Sequence, residues 1–199
     1  MKTITTPPSV AAVTRTRDLS ATPKGIHDDR ILAVKGYGKV KIRAIRPDDE
    51  EEMVRFHQRL VQESIYMRYF EYLGLDQRTA HERLVRICKN SPDSHGIVVV
   101  ELAVSKRYPA AILAVGRLTA TSEPAVVTFD TLIAEQESAP HVGKVLLKQL
   151  VKLAQAFGFR ILTGELLVAD HDSVNLCRAL GFSQETLPQD GLVRVTLDL

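Results

Sequence analysis

Two periods of hydrophobic and polar positions run through the chain, and they mark strands and helices. In the segment VKIRA, the apolar residues Val40, Ile42 and Ala44 alternate with basic residues, which is the period-two pattern of a half-buried strand. Apolar runs of strand length recur further along the chain. We predict these later strands at residues 96–104, 110–120, 125–135, 160–169 and 191–199.

Helical periodicity predicts four helices between the strands. The first follows Pro47, and the acidic run from Asp48 to Glu52 fills its first turns, where carboxylates complement the positive end of the helix dipole. Its apolar face continues with Met53, Phe56, His57 and Leu60. The other three helices are predicted at residues 76–90, 143–157 and 171–180.

The helix predicted at residues 143–157 is strongly amphipathic. Three lysines, Lys144, Lys148 and Lys152, lie four residues apart on its polar side, and a polar loop, ESAPHVG, precedes it. A helix N-terminus offers backbone N–H groups and a positive dipole end, which suit an anion. The loop is therefore either a phosphate cradle or an ordinary turn. The apolar face consists of Leu146, Leu147, Leu150, Leu153, Ala154 and Phe157.

The order of the elements is strand, two helices, three strands, helix, strand, helix, strand. The links SKRYP and TSEP contain turn-forming residues, which favours antiparallel hairpins among the three consecutive strands. A strand–helix–strand unit follows them. We predict an α+β (or α/β) domain with a mixed, mostly antiparallel central sheet and helices on both faces. Gly181 is placed to form a left-handed cap after the last helix.

The N-terminal segment lacks the periodicity of the rest of the chain. It contains Pro7, Pro8 and Pro23, and we expect residues 1–35 to form a disordered tail. A length of 199 residues suits one domain with such an appendage. We therefore assign residues 36–199 to a single folded domain.

The segment ESIYMRYFEYL concentrates aromatic side chains. We expect Tyr66, Tyr69, Phe70 and Tyr72 to be mostly buried, because aromatic residues contribute large apolar areas to cores. The alternative is that they line a cleft.

Composition and charge exclude several classes of partner. The 26 Lys and Arg against 24 Asp and Glu give a net charge of +2, which is too small to indicate a nucleic acid or an anionic membrane. Cys88 and Cys177 lack metal-ligand spacing and fit reduced thiols in a cytoplasm. No segment has the roughly 20 consecutive apolar residues of a membrane span. We expect a cytoplasmic protein without a metal, and the oligomeric state stays open.

Three segments resemble a known family. The loop and helix APHVGKVLLKQLVKLAQAFGF and the downstream LLVADHDSVNLCRALGF are similar to the GNAT superfamily of acyl-CoA-dependent N-acyltransferases. The segment IRAIRPDDEEEMVRFHQRLVQESIYMRYF resembles the subgroup found in bacterial protein-lysine acetyltransferases. The resemblance covers about residues 38–182. It implies a GNAT fold, acetyl-CoA or another acyl-CoA as cosubstrate, and a protein lysine or a small amine as acceptor.

In that superfamily, a Gln/Arg-x-x-Gly-x-Gly/Ala loop binds the CoA pyrophosphate through its backbone amides. Here only the last glycine, Gly143, is kept, while Ser138 replaces the usual Gln or Arg and His141 replaces the middle Gly. Pro140 also removes one N–H donor. The resemblance implies that the main chain at Leu132, Ile133 and Ala134 binds pantetheine, and that the other CoA-binding positions are Ser138, Ala139, His141, Val142, Gly143, Lys144 and Asp170.

The resemblance also implies catalytic positions, and this chain departs from them. Thr128 stands where many members carry a Glu that serves as general base, and a hydroxyl cannot replace a carboxylate in that role. Asp130 lies two residues on, hence on the same strand face, and Glu165 matches a Gly-Glu segment of the subgroup. Both are candidate bases, and the alternative is that they are ordinary structural carboxylates.

Cys177 occupies the position of a Tyr that protonates the leaving thiolate in many members. A thiol is an inferior acid, and the alternative is a small buried core residue. We also interpret Asp170 as the N-cap of the last helix. The resemblance implies an acyltransferase that works by direct attack of an amine. The alternative, which Thr128 and His141 favour, is a non-catalytic acyl-CoA sensor or protein-interaction module.

Overall fold

A central sheet organises the fold. A computed structural model describes residues 17–24, 30–35, 38–101, 111–134 and 139–199. Within these ranges eight strands form one sheet in the order β1-β2-β3-β4-β5-β6-β8-β7, and all neighbours are antiparallel except the parallel pair β5 and β6. The strands are β1 Arg30–Val34, β2 Gly38–Ala44, β3 Ser94–Glu101, β4 Ile112–Ala120, β5 Val126–Ile133, β6 Ile161–Leu167, β7 Ser183–Leu187 and β8 Leu192–Asp198.

Helices cover both faces of this sheet. The helices α5 and α6 pack on one face, and α1, α2 and α4 contribute to the core on the other. This arrangement confirms the predicted fold class. No helix in the described ranges is long and apolar enough to cross a membrane. The helices are α1 Glu50–Gln58, α2 Gln62–Tyr69, α3 Leu75–Thr79, α4 His81–Ile87, α5 Ala139–Ala156 and α6 His171–Ala179.

Each face of the sheet has its own hydrophobic core. On one face, Leu146 and Leu150 of α5 are completely buried against the inner strands. On the other, Phe56, Ile65 and Leu84 are completely buried below α1, α2 and α4. The predicted apolar face of α5 is confirmed, because its leucines are buried while Lys144, Lys148 and Lys152 are exposed.

The N-terminal part of the chain contributes more to the fold than predicted. Strand β1 pairs with β2 along its whole length, and Leu19 is completely buried in the core of the α5 face. The N–H of Leu19 donates to the carbonyl of Pro92 at 2.9 Å. A domain boundary at residue 36 is therefore too late. Residues 1–16 and 25–29 of the predicted tail lie outside the described residues.

Three further elements differ from the sequence prediction, and one of them is α2, which lies where no helix was predicted. The helix predicted at 76–90 consists of α3 and α4, because Ala80 has an extended backbone, with φ −56° and ψ 129°, that ends one helix before the next begins. Strand β7 was not predicted. Its sequence SQETL is polar and mostly exposed at the sheet edge. The strand is held by backbone pairing with β8, and its sequence lacks the apolar alternation from which a strand can be predicted.

The aromatic segment is less buried than expected. Phe70 and Tyr72 are 41% and 74% exposed, and Tyr66 and Tyr69 are half-buried. Helix α2 ends at Tyr69, and Phe70 takes a left-handed conformation with φ 57°. The prediction of buried aromatics is therefore wrong for Phe70 and Tyr72. The prediction for Gly181 is confirmed, since it follows α6 with φ 91°.

Candidate functional site

Strands β5 and β6 separate part-way along their length. Their pairing covers Val126–Thr128 opposite Ile161–Thr163, whereas β5 continues to Ile133 and β6 to Leu167. Beyond these pairs, backbone groups of β5 that point towards β6 have no partner strand within the described ranges. Such an edge can bind an extended ligand through strand-like hydrogen bonds.

The register of β5 against β4 identifies the backbone groups that face this opening. The N–H of Ala134 donates to the carbonyl of Leu113 at 2.9 Å, so Ala134 and, by alternation, Leu132 direct their backbone groups towards β4. Thr131 and Ile133 then direct theirs towards β6. Of the three predicted main-chain positions, Ile133 therefore has the suitable orientation, and Thr131 is an additional one that sequence reasoning missed.

Most of the segment predicted as a loop, ESAPHVG, belongs to helix α5 in the structure. Helix α5 begins at Ala139, so Pro140 lies in the first turn, where its missing N–H breaks no helical hydrogen bond. His141 and Lys144 are exposed on this turn. Ser138 lies outside the described residues. The turn combines an imidazole and an ammonium group with the positive end of a helix, which favours an anion.

Gly143 serves the packing of α5. A Cβ atom there would lie 2.9 Å from Cδ1 of Ile133 and 3.3 Å from Cδ2 of Leu176. The neighbouring Val142 is also buried. Glycine at this position therefore allows α5 to approach β5 and α6 closely, and a side chain would meet the core before it met a ligand.

A cavity of about 270 Å³ lies on the other face of the sheet, between the strands β4 and β5 and the helices α1, α2 and α4. We call it the arginine cavity, since four arginines contribute to its wall. It is lined by Met53, His57, Arg68, Tyr69, Arg83, Arg86, Ile87, Val115, Arg117, Asp130 and Leu132.

Asp130 is the carboxylate in this lining. One of its oxygens lies 2.5 Å from the guanidinium of Arg68, and Arg117 stands opposite on β4. Burial raises the pKa of Asp130, while the charges of Arg68 and Arg117 oppose that rise. A carboxylate with a raised pKa beside a cavity can accept a proton from a reacting group.

Glu165, the other predicted base, has a different setting. It is exposed on β6, and its carboxylate lies 2.9 Å from the guanidinium of Arg194, which also approaches Glu185 at 3.8 Å. Glu165 does not line the arginine cavity. The structure thus places Asp130, but not Glu165, in the arginine cavity.

Three other residues singled out in the sequence make structural contacts. The hydroxyl of Thr128 donates to the carbonyl of Thr119 at 3.1 Å. Cys177 is buried in the core, and burial raises the pKa of its thiol to about 12. Asp170 accepts a hydrogen bond from the N–H of Ser173 at 3.1 Å, which confirms that it is the N-cap of α6.

Comparison with known structures identifies the architecture. No family model matches the sequence. The GNAT domain of S. lividans PAT superposes with a TM-score of 0.73 at 22% identity, over 86% of this chain and 97% of that one. The chain has the GNAT fold.

Other solved structures share this GNAT fold. An acetyltransferase of the GNAT family from Streptococcus pneumoniae matches with a TM-score of 0.57 at 16% identity, over 80% of this chain and 99% of that one. The aminoglycoside acetyltransferase AAC(6')-Ib, solved in complex with coenzyme A, matches with a TM-score of 0.56 at 12% identity, over 80% and 94% of the two chains.

Sequence reasoning missed most of the arginine cavity of this GNAT fold. His57 is 1% exposed, and neither of its ring nitrogens has a hydrogen-bond partner in the described part of the chain. Burial, helped by the charges of Arg78 and Arg83, lowers the pKa of His57 to about 4. The sequence feature that could have indicated the cavity was His57, a histidine on the apolar face of α1. The arginines come from α2, α4 and β4, so no local pattern joins them.

Proposed function

We propose that the protein is an acyl-CoA-dependent N-acyltransferase that transfers an acetyl or another acyl group to an amine by direct attack. The amine nitrogen attacks the thioester carbonyl carbon, and the C–S bond breaks. The amine loses a proton to a base, and the departing CoA thiolate takes up a proton. The acceptor is an amine of a protein lysine or of a small molecule.

The opening between β5 and β6 carries this proposal. The amide groups of a pantetheine arm would hydrogen-bond the backbone of Thr131 and Ile133 as a neighbouring strand does. The phosphates would be held at the first turn of α5, where His141 and Lys144 are exposed. The coenzyme A complex of the aminoglycoside acetyltransferase, which shares the fold, supports this assignment.

Asp130 is the base that the surroundings favour. It lies on β5, the strand that borders the opening, and it lines the arginine cavity. Its raised pKa makes it a stronger proton acceptor than an ordinary aspartate. Glu165 is the second candidate, but its exposed ion pair with Arg194 is typical of a surface contact. Cys177 is a poor acid for the leaving thiolate, because a buried thiol with a pKa of about 12 retains its proton.

A second candidate function is acyl-CoA binding without catalysis, by a sensor or a protein-interaction module. Two observations favour it. Thr128 presents a hydroxyl bonded to Thr119 where many relatives carry the base. In addition, the Arg68 guanidinium beside Asp130 stabilises its ionised form and weakens it as a base.

Calorimetric titration and thiol release test the two functions together. The full chain is titrated with CoA and with acetyl-CoA, and free thiol is followed after acetyl-CoA is mixed with amines. We expect binding, and thiol release that requires an amine. Binding without amine-dependent release would support the sensor. Absence of binding to either compound would contradict both functions.

A pair of lysine variants tests the phosphate contacts. Lys144→Ala should weaken CoA binding by about 1–2 kcal/mol, as expected for the loss of one charge-assisted contact. Lys152→Ala is the matched control, because it is also exposed on α5 but lies two turns further from the N-terminus. Equal affinity of both variants for CoA would contradict the placement of the phosphates at this turn.

A further inference from the structure

We propose that the arginine cavity binds the acceptor, and that the acceptor is a small amine that carries an anionic group, either a carboxylate or a phosphate. This inference rests on the proposed acyl transfer at β5 and names the substrate class of that reaction.

The excess of positive charge in the cavity wall favours the binding of an anion. Four arginines, Arg68, Arg83, Arg86 and Arg117, face one carboxylate, that of Asp130. His57 adds no opposing charge, because with a pKa of about 4 it is neutral at pH 7. Guanidinium groups close to one another are stabilised by an anion that pairs with them, and their planar N–H forks match carboxylate and phosphate oxygens.

Some polar atoms of the residues that line the cavity are buried without a partner among the described residues. His57 is 99% buried, since its exposure is 1%, and both of its ring nitrogens lack a hydrogen-bond partner among the described residues. The buried Nε of Arg83 also lacks one there. Buried polar groups in proteins nearly always have partners. Because these buried atoms have almost no accessible surface, the donors available to an anion in the cavity are the terminal N–H groups of the arginines.

The arginines divide into two sets by their existing contacts. Arg117 donates to the Oγ of Ser94 at 2.6 Å, and Arg68 pairs with Asp130. Arg83 and Arg86 are three residues apart and therefore lie on the same side of α4. The terminal N–H groups of these two arginines have no hydrogen-bond partner within the described ranges, so α4 presents the donors for the anionic group.

The tyrosine beneath α4 fixes one of these donors. The guanidinium of Arg83 lies over the ring of Tyr69, 4.9 Å from its centroid. Arg86 donates its Nε to the carbonyl of Glu82 at 3.2 Å. Both side chains are thus held in place before a ligand arrives, which lowers the entropic cost of binding.

The amine of the ligand belongs at Asp130, which β5 contributes to the cavity wall. Asp130 lies on β5 next to the opening in which the acyl group would be held, and a carboxylate attracts an ammonium group and accepts its proton. A molecule with an amine at one end and an anion at the other complements both Asp130 and the arginines. A volume of about 270 Å³ suits a ligand of amino-acid size, because the pockets that hold drug-sized ligands measure about 300–1,000 Å³.

Matched ligand pairs test the inference on the unmodified full chain. In the first pair, glutamate is compared with glutamine amide, in which amides replace both carboxylates of glutamate. In the second pair, phosphoethanolamine is compared with ethanolamine. We expect the anionic member of at least one pair to bind about tenfold or more tightly than its neutral partner in calorimetry. Preference in the first pair identifies a carboxylate ligand, and preference in the second identifies a phosphate. Equal binding within both pairs, or no binding, would overturn the inference.

Arginine variants locate the contact. Arg86→Gln and Arg83→Gln should each lower the affinity for the preferred anionic amine by about tenfold. The control is Arg55→Gln, since Arg55 is exposed on α1 and pairs with Glu51 and Glu52 outside the cavity. If Arg83→Gln does not fold, Arg86→Gln and the ligand pairs still decide the question. Unchanged affinity in Arg86→Gln would contradict the placement of the anion at α4.

Thiol release with the same amines separates this inference from the proposed function. Release from acetyl-CoA that is fastest with the preferred anionic amine supports both. Equally fast release with ethanolamine or with a lysine peptide would overturn the acceptor class and leave the acyltransferase standing. Anion-dependent binding without release by any amine would overturn the acyltransferase and show that the cavity is an anion site of another kind.

Discussion

The aromatic ring of Phe129 lies against the backbone of Gly164 where β5 and β6 begin to separate. A Cβ atom on Gly164 would lie 2.7 Å from Cε1 of that ring. Phe129 follows the last paired residue of β5, and its ring also contacts Phe182 edge-on, with centroids 5.6 Å apart. The glycine thus allows a large side chain to pack below the opening.

Gly164→Ala should destabilise the protein by about 1–3 kcal/mol, because a methyl group forced against a buried ring is overpacked. Urea unfolding measures the change in the free energy of unfolding. The control is Gly74→Ala, where the nearest atom to the new methyl group would lie 3.5 Å away, at the end of the Gln77 side chain. A Gly164→Ala protein as stable as the wild type would contradict the close contact with Phe129.

Gly143→Ala tests the packing of α5 against β5. Alanine is favoured over glycine in a helix by about 1 kcal/mol, but the contact at 2.9 Å with Cδ1 of Ile133 should cost about 1–3 kcal/mol. We expect a net loss of stability. In Ile133→Val the offending methyl group is absent, so the double variant should be more stable than the sum of the single changes predicts. Strict additivity would exclude this contact.

Leu19→Ala tests whether the chain before β1 belongs to the folded domain. Leu19 is completely buried, and its truncation should cost about 2–5 kcal/mol by removing buried methyl groups and leaving a cavity. Ile31→Ala is the matched control, because Ile31 is 53% exposed and should change stability by less than about 1 kcal/mol. If both variants unfold like the wild type, residues 17–24 do not contribute to stability.

The elements that the sequence predicted well are those whose side chains pack in the hydrophobic core. The face of α5 repeats apolar residues because each turn meets the sheet, and Leu146 and Leu150 are buried accordingly. Strands β1 and β7 were missed for the opposite reason. They lie at the two edges of the sheet, where backbone hydrogen bonds hold a strand and few side chains are buried. In β1 only Val34 is buried.

The candidate site likewise contains features that a local sequence pattern predicts and features that depend on the fold. The shared face of Thr128 and Asp130 follows from the period of a strand. Arg68, Arg83 and Arg117 come from three elements, and only the packing of α2 and α4 over β4 and β5 brings them to one cavity. The role of Gly143 was also beyond sequence reasoning, because the atoms that exclude a side chain belong to Ile133 and Leu176.

Asp130→Asn should lower the kcat of acyl transfer by about 10²-fold or more, which is the usual contribution of a general base. Glu165→Gln is the control. Its exposed pair with Arg194 lies outside the arginine cavity, so kcat should change by less than about threefold. Circular dichroism of each variant verifies the fold. Equal kcat values for Asp130→Asn and the wild type would remove Asp130 from the mechanism.

The pH dependence of the rate gives an independent test of the same base. Asp130 must be ionised to accept a proton, and burial raises its pKa above the usual 3.8. The rate of the wild type should therefore fall as the pH is lowered through this raised value, and it should recover fully when the pH is restored. Asparagine does not titrate in this range, so the residual rate of Asp130→Asn should lack that acidic limb, whereas Glu165→Gln should retain it. Stopped thiol-release assays between about pH 4 and pH 8 measure the three profiles. An acidic limb that persists unchanged in Asp130→Asn would assign the titration, and the base, to another group.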